Sequence, residues 1–313
     1  MIQQDAQTVA DIQTQIMQAT APHLRGQHPK MHGCVAALFE VLPVPPPLDQ
    51  GLFARPARFD ALVRLSNGRE RDDRKPDAHG MAIKLLGVAG EKAMPEAPEG
   101  EQDFILVDNP VFFIRNAADY ARFMALVAAD RKAEFLAYLH QTHPEDVAVL
   151  TSFAQHIQAD PLSATYWGQV PYALGPDPAT ACRYRAVPRA PAPDDSPGAT
   201  PDYLRERMVA RLAPEASPVV YDLQVQLRQD ADAAVIENPT VEWDTPVVTV
   251  GTLTIPPQDF DTPERRVRGE GLRFSPWHAL AAHRPLGEIN AVRRVVYPAS
   301  QALRAASSGK AAS

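Results

Sequence analysis

Residues 59–68 read Phe59-Asp60-Ala61-Leu62-Val63-Arg64-Leu65-Ser66-Asn67-Gly68. Ala61, Val63 and Leu65 share one parity, while Leu62, Arg64 and Ser66 share the other. That two-residue period predicts a strand with one face turned to an apolar core. Asn67-Gly68 is a turn signal directly behind it. Comparable runs lie on either side: Val35 to Leu42, Gly80 to Leu86 and Phe104 to Val107. Further on come Tyr166 to Leu174, Ala181 to Val187, Val219 to Leu227 and Val247 to Ile255. The eight strands form two groups of four, over about 35–107 and 166–255. Connections within each group are too short or too Pro-rich for parallel crossovers, so the sheet is expected to be antiparallel. An eight-stranded antiparallel β-barrel closes its own edges and can hold a ligand or cofactor against one face.

Helical periodicity covers the rest. A short helix is expected over 5–20, where Val9, Ile12 and Ile16 recur at helical spacing. Others are expected over 117–139, 148–157 and 202–212. The stretch from Phe260 to Arg304 contains Pro276, Pro285 and Pro298 and reads as short helices and loops. The fold class is therefore α+β, a single domain over 1–313 with helices flanking the barrel.

Composition narrows the function. The net charge of −7 carries no basic run, which argues against nucleic acid and anionic membrane partners. Cys34 and Cys182 are the only cysteines, too few for a disulfide framework, and fit a reducing cytoplasm. There is no Cys-x-x-Cys pair and no apolar run of membrane-spanning length. Three histidines, His23, His28 and His32, lie within ten residues. Pro29 breaks any helix through His28 and His32, and no carboxylate sits at ligand spacing, so a histidine acting as acid and base is the better reading than a histidine metal site.

The C-terminal run Arg293-Arg294-Val295-Val296-Tyr297-Pro298-Ala299-Ser300-Gln301-Ala302-Leu303-Arg304 carries the chemistry. Read as helix, it puts Arg293, Tyr297 and Arg304 on one face. A phenol ionises near pH ~10, and an arginine one turn away favours the phenolate, a hard oxygen donor suited to ferric iron.

Several motifs then resemble the catalase core, in particular its small relatives, the catalase-related peroxidases and the catalase-like allene oxide synthase. Arg25-Gly26-Gln27-His28-Pro29-Lys30 resembles the distal Arg-x-x-His-x-Lys motif. Phe39-Glu40-Val41, Arg64-Leu65-Ser66 and Asp77-Ala78-His79-Gly80-Met81-Ala82-Ile83-Lys84 resemble Phe-Glu-Val, Arg-Phe-Ser and Asp-Pro-Arg-Gly-Phe-Ala-x-Lys. Asn109-Pro110-Val111-Phe112-Phe113-Ile114-Arg115-Asn116 resembles Asn-Thr-Pro-x-Phe-Phe-Ile-Arg-Asp. Val250-Gly251-Thr252-Leu253, Phe274-Ser275-Pro276 and the Arg293/Tyr297/Arg304 spacing complete the order over about residues 25–304.

The resemblance implies haem b, with Tyr297 as the iron ligand and Arg293 favouring its ionised form. It implies His28 as distal acid and base, Ser66 hydrogen-bonded to the far nitrogen of His28, and Asn109 holding peroxide. Arg25, Arg64 and Arg304 would pair with the propionates, and Phe112 and Phe123 would pack near the distal pocket. The implied activity is a haem peroxidase that reduces hydrogen peroxide or organic hydroperoxides with an organic electron donor, with weak catalase activity and association into homo-oligomers. The alternatives are a fatty-acid hydroperoxide isomerase or lyase and a non-catalytic haem-binding barrel. The chain departs from the family's pattern where Gln27 replaces an apolar residue and where Asp108-Asn109-Pro110 is shortened, so Asp108 competes with Asn109 for the amide role.

Overall fold

The computed structural model describes residues 1–19, 25–177, 179–191, 196–228 and 236–307. Nine strands build one sheet: β1 (Met31–Val41), β2 (Ala57–Asn67), β3 (His79–Val88), β4 (Gly100–Val107), β5 (Tyr166–Trp167), β6 (Tyr172–Ala173), β7 (Ala181–Pro188), β8 (Val219–Arg228) and β9 (Val247–Ile255). Their order is β5-β4-β3-β2-β1-β9-β8-β7-β6, and every pairing is antiparallel. β5 pairs with both β4 and β7, which closes eight strands into a barrel and leaves β6 as an added rung on β7. The expected barrel is thus the observed one.

The parity of the opening stretch decides what lies inside. Ala61, Val63 and Leu65 join Val35, Phe39, Met81, Ile83, Leu85, Phe104 and Leu106 in the barrel core. The opposite parity starts exposed, with Arg58 and Asp60, but by Arg64 and Ser66 it too is buried. Continuous burial of both parities means that something covers the outer face at that end. The cover is helical: α1 (Ile2–Gln18), α2 (Ala117–Ala128), α3 (Lys132–Thr142), α4 (Pro144–Gln155) and the last helix. Two shorter helices, α5 (Tyr203–Arg211) and α6 (Pro263–Gly271), pack on β1, and α7 (Glu288–Ser307) closes the chain. Ala6, Val9 and Ala10 of α1 form a second small core with Ala117, Ala121 and Met124 of α2 and Val292 and Val296 of α7.

Three expectations are corrected. The helix expected over 117–139 is two helices, because the chain turns at Asp130, whose φ is 56°. The strand expected over Tyr166 to Leu174 is two short pieces separated by Gln169, whose φ is 58°. The C-terminal region ends not in short pieces but in a helix of 20 residues that runs through Pro298. Pro298 is exposed, so the unpaired carbonyl it leaves one turn earlier can be met by water.

Candidate functional site

A cavity of about 840 Å³ lies between the outer face of β2–β4 and the helices α2, α3, α4 and α7. One wall carries Arg64 and Ser66 of β2, Gly80 and Ala82 of β3, and His28 from the loop before β1. Helix α7 contributes Arg293, Val296, Tyr297 and Arg304 to the lining. Phe112 and Phe123 also line it. The histidine, the tyrosine and the arginines singled out in the sequence therefore share one chamber.

His28 is held firmly. It sits at φ 56°, its backbone N–H donates to the carbonyl of Gly68 at 2.8 Å, and Arg64 Nη2 donates to its carbonyl at 3.0 Å. A left-handed residue other than glycine is uncommon and marks a constrained backbone. Its ring lies over Gly80, where an added Cβ would fall 2.7 Å from Nδ1. Nδ1 is buried without a hydrogen-bond partner. Burial, assisted by Arg64, lowers the imidazole from 6.5 to about 4, so His28 is neutral at pH 7 and can take a proton. Ser66 lines the same cavity, but no hydrogen bond joins it to His28; the expected Ser66 contact is corrected.

Tyr297 makes no hydrogen bond through its hydroxyl to any described residue. Burial raises its phenol above the ordinary value, while the guanidinium of Arg293 one turn earlier pulls it down. Arg293 stacks over the ring of Phe112 at 5.3 Å and keeps a buried, unpartnered Nη1. A trivalent cation at the phenol oxygen would reverse the balance and hold the phenolate.

Three further guanidiniums meet on α6. Arg25 bonds the Glu270 carboxylate through Nη1 and the Leu272 carbonyl through Nη2 at 2.7 Å. Arg64 lies 3.5 Å from the other Glu270 oxygen, and Arg304 donates to the Glu270 carbonyl at 2.7 Å. Burial and mutual repulsion lower Arg25 to about 10 and Arg64 to about 9, and also lower Arg304. Arg64 Nε and Arg304 Nε are buried without partners. Three cations against one carboxylate, with two orphaned donors, leave unfilled capacity for anionic ligand groups. Those orphaned donors, His28 and Tyr297 on the same lining, and the apolar walls fit a haem with its two propionates.

The amide expected from Asn109 is not in this chamber. Its Nδ2 donates to Ser152 at 3.1 Å and its Oδ1 accepts from Val111 N at 3.2 Å, so the side chain turns away. Asp108 does not replace it, since its carboxylate is bonded to His79, His156 and Gln158. Burial would raise that carboxyl, but the two histidines hold it well below the usual range. Among the carboxamides on the cavity wall is that of Gln169, whose Nε2 donates to the carbonyls of Asn109 at 3.1 Å and Val111 at 2.7 Å. Sequence reasoning missed it because a strand was expected there. Gln27 also lines the cavity. His32 is buried at the end of the barrel, with Nε2 on Asn67 at 2.7 Å, and does not reach the chamber lining; His23 lies outside the described residues.

No family model and no curated protein matches the sequence. Solved structures do. A fungal catalase is similar over 90% of this chain at 15% identity, with a TM-score of 0.68. Catalase A from Saccharomyces cerevisiae gives 16% identity and 0.69, and a bacterial catalase 17% and 0.64, each again over 90% of the chain. The chain spans 57–61% of the length of those proteins. The closed eight-stranded antiparallel barrel, with its helices packed outside, is a catalase-like core.

Proposed function

We propose that the chain is a haem-dependent peroxidase that reduces hydrogen peroxide or organic hydroperoxides at the expense of an organic donor. The observation that carries this reading is that His28, Tyr297 and the Arg25/Arg64/Arg304 group line one cavity. Tyr297 would hold the iron of haem b, with Arg293 favouring the phenolate. Arg25, Arg64 and Arg304 would hold the propionates, for which guanidinium forks are suited. When bound, the haem supplies the two-electron redox chemistry on the peroxide oxygen.

The residues of the chain supply proton handling and the apolar wall of the chamber. Neutral His28 takes the proton from the near oxygen of the peroxide and returns one to the departing oxygen, which leaves as water or alcohol. Its fixed backbone means the ring is aimed before the substrate arrives. Ser66, Gln27 and Gln169 are among the polar groups on the same lining that can orient a hydroperoxide. Phe112, Phe113, Phe123, Phe135 and Phe153 give the chamber an apolar wall. That aromatic annex favours organic hydroperoxides over hydrogen peroxide. It also supports a second reading, in which a fatty-acid hydroperoxide is rearranged with no external reductant.

The test is the absorption spectrum of the protein loaded with haem, for wild type and Tyr297→Phe. A ferric high-spin Soret band that shifts or disappears in the variant is expected. Turnover of cumene hydroperoxide with and without a dye reductant then separates peroxidase from isomerase. Wild type and variant with the same spectrum would remove Tyr297 from the iron and the reading with it.

A further inference from the structure

We propose that His79, Asp108 and His156 form a site for one divalent transition-metal ion, with zinc as the representative. Its place is behind the cavity wall, where the start of β3, the end of β4 and the end of α4 meet. Asp108 Oδ2 lies 2.8 Å from His79 Nδ1 and 2.7 Å from His156 Nε2. These three donor atoms all lie within 4.8 Å of one another. Two imidazole nitrogens and one carboxylate oxygen are a borderline donor set, which suits zinc or its transition-metal neighbours better than calcium or magnesium.

Two further observations point to an ion. First, Gln158 Nε2 also lies 2.9 Å from the same Asp108 oxygen, so one oxygen faces three donors while it has two lone pairs. Secondly, Gln158 is 2% exposed and its Oε1 is buried with no partner. With the carboxamide turned over, Oε1 would face Asp108 Oδ2, an approach that a cation between them would make favourable. The ring chemistry also balances. The bonding nitrogens now carry hydrogens toward Asp108; on binding, His79 and His156 shift to the other neutral tautomer. His79 Nε2, which would then carry the hydrogen, is buried without a partner today. The site is orientated from outside as well: His79 N donates to Asp108 Oδ1 at 2.7 Å and Asp77 N donates to the His156 carbonyl at 2.9 Å. Ligand atoms of one zinc ion stand farther apart than these, so they must open by a few tenths of an ångström. The His156 side chain is 41% exposed at the end of α4, has the freedom to do so, and leaves the remaining position open to water.

The ion would tie α4, which lines the cavity through Thr151, Phe153 and Ala154, to two barrel strands. This inference does not depend on the haem reading. The experiment uses the untagged, haem-free full chain, stripped with a chelator. Zinc is titrated by calorimetry and cobalt by its visible absorption bands, for wild type, His156→Ala and Tyr297→Phe. Wild type is expected to bind one ion per chain, to melt at a higher temperature with zinc, and to give cobalt bands of a mixed nitrogen and oxygen site. His156→Ala is expected to bind at least ~10-fold more weakly and to lose the melting shift, while Tyr297→Phe matches wild type. No stoichiometric uptake in wild type, or equal uptake in His156→Ala, overturns the site.

Discussion

The carboxylate of Glu270 is bonded to the guanidinium of Arg25 on the wall of the cavity. The same carboxylate faces Arg64, and the Glu270 carbonyl holds Arg304. Glu270 thus neutralises part of a cluster built for more negative charge than the protein itself provides. Replacing it with glutamine removes the only carboxylate paired with these arginines among the described residues. The haem-free Glu270→Gln protein is expected to lose about 1–2 kcal/mol, less than the ~3–5 kcal/mol for a fully buried pair, because the Glu270 side chain is 34% exposed. Propionates would meet the freed guanidiniums without competition, so haem affinity is expected to rise as apo stability falls. Parallel melting curves and haem titrations check both signs; a fall in both sinks the compensation.

His28 carries the proton transfer in the proposed reaction. His28→Ala is expected to reduce turnover of hydroperoxide by ~10²–10⁴-fold, the usual worth of a positioned general acid and base. Haem binding is expected to survive, since Tyr297 and the arginines are untouched. A steady-state assay paired with the Soret spectrum measures this. A haem-loaded variant with wild-type turnover would mean the barrel binds haem without using this histidine.

A separate histidine sets an acid limit on stability. His283 is 1% exposed; its Nε2 accepts from Leu52 N at 2.8 Å and its Nδ1 meets the Tyr184 hydroxyl at 2.9 Å. Burial lowers it from 6.5 to about 4. The folded state therefore refuses a proton that the unfolded chain accepts between those values. Stability is full above the unfolded value and falls as pH drops from about 6.5 to 4, by up to ~3 kcal/mol. Denaturant melts of wild type and His283→Gln across that range should converge at low pH. Parallel curves would assign the acid loss to other groups.

Much of this arrangement is legible in the sequence because it is local. The alternation through Val63, Arg64, Leu65 and Ser66 sorts core from cavity in the folded barrel as it does on paper. Arg293, Tyr297 and Arg304 keep their common face because α7 stays helical through Pro298. What escapes is set by single backbone choices and by distance along the chain. Gln169 reaches the cavity through a left-handed kink that no pattern of apolar residues announces. Asn109 follows a shortened run, and its side chain swings to Ser152. His79, Asp108 and His156 lie 29 and 48 residues apart, so only the pairing of β3 with β4 and the docking of α4 bring them together.

Gly80 gives a test of whether the position of His28, and not only its presence, matters. An alanine Cβ there would fall 2.7 Å from His28 Nδ1 and 2.8 Å from Cε1, closer than real Cβ atoms approach their neighbours. The strand cannot retreat easily, because Gly80 pairs with Ser66 on one side and Val107 on the other. The ring must therefore move, against a backbone held by Gly68 and Arg64. A displacement of that order at a proton-transfer group costs about 10²-fold in rate, by the same argument that makes positioning valuable. Gly80→Ala is expected to bind haem as wild type does, to lose about that factor in kcat, and to leave the affinity for a small azide probe less affected than turnover. A variant with unchanged kcat would show that proton transfer by His28 tolerates displacement of the ring, and positioning would drop out of the account.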